Sequence, residues 1–286
     1  MRIVRCEIGG QPMVGVVERP DGPVRPVGVG TLGELLRLPL TEIRERCTAA
    51  AGTEPAGAGA LLPPVDGRME VWAAGVTYRR SREARVAESE QSADVYERVY
   101  DAERPELFFK SASWRVTGHG GRVSIRADSD VNVPEPELGL VLNRDGEIAG
   151  YTVCDDMSSR SIEGENPLYL PQAKVYLGAC AVGPAIRPVW EVADPYDLPI
   201  TLTIRRDGAV AWSGESTTKD LHRRLEDLAA YLFREDDFPD GAVLATGTSL
   251  VPDLSFTLTP GDEITMDIAE IGTLTSTVVH GKAQMR

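Results

Sequence analysis

The segment that decides the fold is Val133-Pro134-Glu135-Pro136-Glu137-Leu138-Gly139-Leu140-Val141-Leu142, followed at once by Asn143-Arg144-Asp145-Gly146. A second apolar run, Ile148 to Cys154, comes directly after this turn signal, and the order strand, turn, strand predicts an antiparallel β-hairpin. Pro134 and Pro136 cannot donate hydrogen bonds to a neighbouring strand. We therefore expect the start of the first strand to lie at an edge or rim of its sheet.

The hairpin carries three acidic residues. Glu135 and Glu137 are two positions apart, so in an extended strand their side chains project from the same face. If Asn143 faces Ile148 across the turn, Asp156 lies opposite Glu135. A slip of one residue in the register would move Asp156 to the other face.

An all-oxygen cluster of this kind is typical of a site for a hard cation. Two neighbouring carboxylates repel each other unless a cation or water lies between them. With no His or Cys at hand, Mg²⁺ is the first expectation for Glu135, Glu137 and Asp156, and Mn²⁺ or Ca²⁺ is the next. The alternative is a solvated acidic rim on an acidic protein.

The rest of the chain is rich in strands and poor in helices. From Leu107 onward, apolar runs alternate with turn signals such as Asp207-Gly208. One amphipathic helix is indicated by a leucine repeat behind caps at Thr217 or Thr218, namely Leu221, Leu225, Leu228 and Leu232. The polar stretch from Ser81 to Glu103 predicts one or two exposed helices, which are also a candidate lid. The pattern favours an α+β fold of mixed topology.

A boundary is expected between residues 51 and 64, where Ala, Gly and Pro dominate. We therefore predict a small N-terminal α/β domain with its linker over residues 1–65 and a larger domain over residues 66–286. Within the first part, Thr31 and Glu34 form a capping box that opens a helix from Glu34 to Leu38. The same capping role explains the match of residues 28–33 to the dinucleotide-binding pattern GxGxxG, which no βαβ unit supports.

The amino-acid composition limits the kinds of molecule that the chain is expected to bind. The 286 residues include 30 Lys plus Arg and 44 Asp plus Glu, and the formal net charge of −14 argues against nucleic acid and anionic membranes. The N-terminal ten residues alternate like a strand and lack the apolar core of a signal peptide. Four dispersed cysteines favour neither a disulfide framework nor a zinc site. We expect a cytoplasmic protein.

Two further segments carry candidate binding groups. Lys174 lies among mostly uncharged residues downstream of the acidic cluster, where it is either a surface side chain or a group that binds a carboxylate or moves a proton. Thr246-Gly247-Thr248 follows an apolar run and is either a plain turn or an anion-binding loop. The three histidines are more typical of structural or exposed positions, and no GxSxG motif is present.

Together these motifs resemble the fumarylacetoacetate hydrolase superfamily over residues 70 to 280. The family's metal pair and downstream Asp are similar to Glu135-Pro136-Glu137 and Asp156. Its remaining motifs, in the same order along the chain, are similar to Gly75-Val76-Thr77-Tyr78, Phe108-Phe109-Lys110, Ala173-Lys174 and Thr246-Gly247-Thr248. The resemblance implies a mixed β-roll around a divalent metal, in a homodimer.

It also implies an enzyme that stabilises the enolate of a 2-oxo acid substrate. Glu135, Glu137 and Asp156 would bind the metal, and Lys174, Glu163 or Glu165 would move the proton. The groups expected to contact the substrate are Ser81, Arg82, Lys110, Thr246 and Thr248.

Two departures from the family pattern bear on the reaction. Ser81 and Ala84 stand where hydrolases and decarboxylases of the superfamily carry a His-x-x-Glu dyad, and Ser161 replaces an Asp behind the metal loop. Residues 78–85 and 162–174 are similar instead to the branch that contains 2-keto-3-deoxy sugar-acid dehydratases. Dehydration is therefore the first expectation. The alternatives are C–C bond hydrolysis, decarboxylation or keto–enol isomerisation, and a degenerate member that binds without turnover.

Overall fold

Two β-sheets packed face to face carry the fold, as the analysis of the sequence predicted for an α+β protein with few helices. The computed structural model describes residues 1–19, 22–88 and 93–286. The strands, in chain order, are β1 (Arg2–Ile8), β2 (Gln11–Val17), β3 (Arg25–Pro26), β4 (Ala60–Leu62), β5 (Glu70–Gly75), β6 (Glu106–Ala112), β7 (Gly121–Ile125), β8 (Asn132–Val133), β9 (Pro136–Leu142), β10 (Ile148–Asp156), β11 (Ser158–Ser159), β12 (Cys180–Pro188), β13 (Pro199–Arg206), β14 (Ala209–Thr217), β15 (Ala242–Ala245), β16 (Glu263–Ile268) and β17 (Gly272–His280).

The helices are short and lie between the strands. They are α1 (Leu32–Leu36), α2 (Leu40–Ala51), α3 (Arg79–Glu88), α4 (Ala93–Asp101), α5 (Arg160–Glu165), α6 (Leu170–Lys174) and α7 (Leu225–Leu232). Single 3₁₀ turns cover Ser113–Arg115, Pro167–Tyr169, Val189–Glu191, Thr218–Asp220 and Lys282–Met285. Among the described residues, no helix combines the length and the apolar character needed to span a membrane.

The large sheet has the strand order β3-β2-β1-β12-β10-β9-β15-β5-β6, with β4 attached to β1. The second sheet has the order β14-β13-β16-β17-β7, and β8 pairs with β11 in a separate ribbon. β1 is antiparallel to β12, so residues from both sides of the expected boundary share one sheet. The division at residue 65 stays a prediction.

Both faces of the large sheet are packed against hydrophobic residues, because successive side chains along each strand point to opposite faces. Leu138 and Leu140 of β9 pack on the second sheet and α7, together with Leu202 of β13. Val141 faces the other way, where the side chains of α1 and α2 cover the sheet. Burial of both faces explains the nearly continuous apolar run in β9.

The hairpin of β9 and β10 forms as predicted, but its turn differs from the expected one. Ile148 pairs with Leu142 rather than with Asn143, and an irregularity between Ile148 and Gly150 restores the register. The Asn143 side-chain oxygen accepts the amides of Asp145 (3.1 Å) and Glu147 (2.8 Å), and its own amide donates to the carbonyl of Glu147 (3.0 Å), so this residue closes the turn instead of pairing with Ile148. Gly146 adopts φ 76°, which a residue with a side chain rarely adopts.

Beyond that irregularity, Glu137 pairs with Cys154, and the amide of Asp156 donates to the carbonyl of Glu135 at 3.0 Å. The facing of Glu135 and Asp156 is therefore confirmed. The expected position of Asp156 was right although the pairing used to reach it was wrong.

The helix predictions have mixed outcomes. The capping box of Thr31 and Glu34 is confirmed in both directions. The leucine helix is shorter than expected and begins at Leu225, because Arg224 is extended and Leu221 instead forms a bridge with Tyr78. In the stretch from residue 81 to 103, α3 and α4 are present, and residues 89–92 lie outside the described part of the chain.

Candidate metal centre and substrate cavity

Three carboxylates meet at the rim where β9 begins and β10 ends. One oxygen each from Glu135, Glu137 and Asp156 lies within 4.8 Å of the other two. The side chains are buried, with 3%, 2% and 2% of their residue surface exposed. Their burial contradicts the alternative of a solvated rim, because buried like charges need a counter-ion or protonation.

Glu137 shows the electrostatic cost of this arrangement most clearly. Its Oε2 accepts the amide of Gly247 at 2.7 Å. Burial, followed by the charges of Asp156 and Glu135, nevertheless raises the pKa of Glu137 well above its usual value. A divalent cation placed among the three carboxylates would remove this strain. Their oxygen-only donor set fits Mg²⁺.

Lys174 contacts the acidic cluster from α6. Its Nζ donates to Oε2 of Glu135 at 2.7 Å, to Oδ2 of Asp156 at 3.1 Å and to the hydroxyl of Ser158. The side chain is 2% exposed, so the surface reading of this lysine is wrong. Lys174 thus contacts two of the three carboxylates directly.

Lys110 lies behind the cluster rather than on the cavity surface. Its ammonium donates to the carbonyls of Met157 (2.9 Å) and Lys174 (2.6 Å) and forms a close ion pair with Asp156. Burial alone raises the pKa of Asp156, but Lys110 and Lys174 outweigh it and leave that pKa below the usual value. The contacts of Lys110 are those of a support for Asp156 and for the backbone of Lys174, whereas the sequence suggested a substrate contact.

α5 approaches the cluster from another side. Arg160 Nη1 is 3.3 Å from Oε1 of Glu135, and its Nε is 3.9 Å from Oε2 of Glu163. Glu163 is buried and lines the cavity, whereas Glu165 is exposed and does not line it. Ser161 accepts the amide of Val131 at 2.9 Å, so its hydroxyl holds the loop that the family's Asp was expected to support.

The remaining candidates divide between the cavity and its surroundings. Ser81 and Thr248 line the cavity. The Thr246 hydroxyl donates to the carbonyl of Leu138 at 2.9 Å, which fixes the loop from behind. The Arg82 guanidinium stacks on Tyr100, 4.8 Å from the ring centre, and does not line the cavity.

Glu106 is a cavity residue that the sequence did not single out. It begins β6, four residues before Lys110, and its carboxylate packs against Gly75. A Cβ atom on Gly75 would lie 2.0 Å from Oε2 of Glu106. The glycine at the start of the Gly-x-x-Tyr motif, Gly75, was thus an indirect sign that another side chain, that of Glu106, lies close to it. Val76, the next residue, adopts φ 52°, a strained conformation for a β-branched side chain.

The chain is similar to known proteins over most of its length. Residues 70–279 match the profile of the family described as fumarylacetoacetate (FAA) hydrolase C-terminal. A probable 2-keto-3-deoxyxylonate dehydratase of Haloferax volcanii is 50% identical over 215 residues, which cover 75% of this chain and 73% of that protein. A 2-dehydro-3-deoxy-D-arabinonate dehydratase of Saccharolobus solfataricus is 45% identical over 221 residues, covering 76% and 74%.

A solved structure is similar to this chain along nearly its whole length. It is 2-keto-3-deoxy-D-arabinonate dehydratase complexed with magnesium and 2,5-dioxopentanoate, with a TM-score of 0.79 and 33% identity over 98% of this chain and 99% of that one.

Proposed function

The chain belongs to the fumarylacetoacetate hydrolase family, and from that premise we propose that it is a metal-dependent hydro-lyase that dehydrates a 2-keto-3-deoxy sugar acid. Two relatives whose names state this reaction are more than two-fifths identical to the chain. The observation that carries the proposal is the buried trio of Glu135, Glu137 and Asp156 with the Lys174 ammonium in contact.

The trio is proposed to hold Mg²⁺, the ion in the related complex with 2,5-dioxopentanoate. When bound, the cation supplies a fixed positive charge for the carboxylate and keto oxygens of a 2-oxo acid. Gly247 and Arg160 keep Glu137 and Glu135 in place through contacts to one oxygen of each carboxylate. Lys110 does the same for Asp156.

Lys174 is better suited to donate a proton or bind an anion than to act as a base. Its Nζ already donates hydrogen bonds to Glu135 and Asp156, which places it as a hydrogen-bond donor beside the cluster. We therefore assign Lys174 to the substrate carboxylate or to the hydroxyl that leaves.

The proton from C3 then passes to a carboxylate that lines the cavity. Glu163 and Glu106 both qualify by position, and Glu165 does not. Loss of the C3 proton and the C4 hydroxyl releases one water, and a proton shift along the chain gives the aldehyde at C5. Ser81 and Thr248 lie at the cavity wall, where the distal hydroxyls of the substrate would bind. Arg82 would reach them only by leaving Tyr100.

The test is product analysis with 2-keto-3-deoxy-D-arabinonate and Mg²⁺. We expect one 2,5-dioxopentanoate for each substrate consumed. Two smaller acids would indicate C–C cleavage, and metal binding without turnover would indicate the degenerate alternative. In D₂O, the enzyme should exchange the C3 protons of the substrate for deuterium only while its base is present. Glu163→Gln and Glu106→Gln are therefore compared, and the variant that loses this exchange is the one that lacks the base.

A cytoplasmic homodimer remains a prediction. Its oligomeric state can be measured by light scattering.

A further inference from the structure

One peptide unit in the loop after β15 links two separate motifs to the metal centre. The carbonyl of Thr246 accepts the hydroxyl of Thr77 at 2.6 Å, and the amide of Gly247 donates to Oε2 of Glu137 at 2.7 Å. Both groups belong to the peptide bond between Thr246 and Gly247. Because a trans peptide is planar and its carbonyl and amide point in opposite directions, the two hydrogen bonds lie at opposite ends of one rigid unit.

The Thr77 hydroxyl determines which way this unit faces. The amide and the hydroxyl of Thr246 both donate to the carbonyl of Leu138, at 3.0 and 2.9 Å, so the Thr246 carbonyl is held by Thr77. Gly247 adopts φ 92°, in a region that glycine enters freely, and therefore does little to fix the orientation itself. Rotation of the unit by half a turn would aim the Thr246 carbonyl at Glu137, where two oxygen acceptors would face each other.

The backbone around Thr77 holds its side chain in this position. Thr77 is fully buried, and its carbonyl accepts the amide of His222 at 2.9 Å. Val76 adopts φ 52° where β5 ends, and strain of this kind in a β-branched residue is typical of functional sites. A Cβ atom at position 247 would lie 2.0 Å from the Thr77 hydroxyl oxygen, so the contact also requires Gly247.

We propose that Thr77 is a positioning residue for the metal centre: its hydroxyl orients the Gly247 amide, and that amide orients Glu137 for a divalent cation. The proposal rests on the proposed function, because Glu137 is one of the three carboxylates assigned to the metal. Thr77 does not line the cavity and therefore acts only through the loop. Loss of a hydrogen-bond partner behind a metal ligand commonly weakens metal binding by about ten- to a hundredfold.

The test compares two variants of Thr77 by titration calorimetry of metal-stripped protein with Mg²⁺ in the absence of substrate. Thr77→Val keeps the shape of the side chain without the hydroxyl, and we expect it to bind Mg²⁺ at least about tenfold more weakly. Thr77→Ser keeps the hydroxyl and should bind Mg²⁺ as tightly as the unmodified protein. The Ser variant keeps the proposal open to refutation even if the Val variant does not fold.

Two other buried threonines provide matched controls. The Thr152 hydroxyl on β10 makes no hydrogen bond among the residues that the structure describes, so Thr152→Val should leave the affinity for Mg²⁺ unchanged. The Thr218 hydroxyl accepts the amide of Leu198 at 2.9 Å and lies outside the cavity. Thr218→Val should lower the midpoint of urea unfolding without weakening Mg²⁺ binding. A loss of stability alone would then not explain a loss of metal affinity in Thr77→Val.

Glycine-selective ¹⁵N labelling gives a readout of the peptide unit itself. In NMR spectra of the metal-free protein, the Gly247 amide proton should lie downfield in the unmodified protein and in Thr77→Ser, because it is bonded to a carboxylate. It should move upfield in Thr77→Val.

Three results would overturn the positioning role alone: undiminished Mg²⁺ binding in Thr77→Val, weakened binding in Thr77→Ser, or a Gly247 signal that does not move in Thr77→Val. Absence of Mg²⁺ binding in the unmodified protein would instead contradict the proposed metal centre itself, and the role of Thr77 with it. The failure of this inference is therefore distinguishable from the failure of the proposed function.

Discussion

Replacement of Lys110 by Met tests whether this lysine supports the site or contacts the substrate. Its ammonium is fully buried, forms an ion pair with Asp156 and donates to two backbone carbonyls. Met keeps the apolar stem but leaves the carboxylate and both carbonyls without this donor. Removing one partner of a buried pair costs about 3–5 kcal/mol, so we expect a loss of that size in the free energy of unfolding.

The assay is urea unfolding of Lys110→Met followed by circular dichroism, with the slope against denaturant compared between the proteins. Lys219→Met is the matched control, since Lys219 and Asp197 form a 2.7 Å pair whose side chains are 64% and 51% exposed. We expect that control to lose less than about 1 kcal/mol. A Lys110→Met protein as stable as the Lys219→Met control, but with a raised KM, would refute the supporting role and restore the substrate contact.

Three smaller predictions follow from individual groups. The affinity for Mg²⁺ should rise with pH between the usual pKa of a carboxyl group and the raised pKa of Glu137, because the metal binds the carboxylate form. The rise should be up to about tenfold per pH unit, and titration calorimetry at several pH values measures it. Hydrogen bonds from Arg68 hold the pKa of Asp240 below its usual value, so its contribution to stability is complete above that usual value and is lost as the pH falls. Asp240→Asn should therefore lower the unfolding free energy by roughly 1–3 kcal/mol at pH 7 and by less at pH 3. Thr31→Ala removes the cap that binds the amide of Glu34 and should cost about 1 kcal/mol in urea unfolding, whereas an unchanged midpoint would contradict the capping role.

Local patterns were sufficient to predict the strand-rich fold and the hairpin that holds the trio. Alternation and the turn signal place Glu135, Glu137 and Asp156 on one face, and the structure agrees. The error at Asn143 arose because its side chain competes for the turn amides, which a pairing rule does not include.

Properties that depend on distant segments could not be predicted. The sequence of two glutamates on one face of a strand is the same whether their side chains are buried or exposed to solvent. Here α6 and the loop at Gly247 contact and bury them. Lys110 ends a recognisable motif, yet only the tertiary structure shows that its ammonium pairs with Asp156 and that its side chain does not line the cavity. Leu221 continues the helical spacing but lies outside the helix, because it forms a bridge with Tyr78.

The most direct test of the central claim is calorimetric titration of metal-stripped protein with Mg²⁺, alone and with oxalate as a chelating mimic of a 2-oxo acid. We predict binding that tightens with oxalate, disappears in Glu137→Gln and is unchanged in the control Glu165→Gln, whose side chain is exposed outside the cavity. Undiminished binding in Glu137→Gln, or no Mg²⁺ binding with or without oxalate, would contradict the account and reduce the trio to a buried acidic cluster.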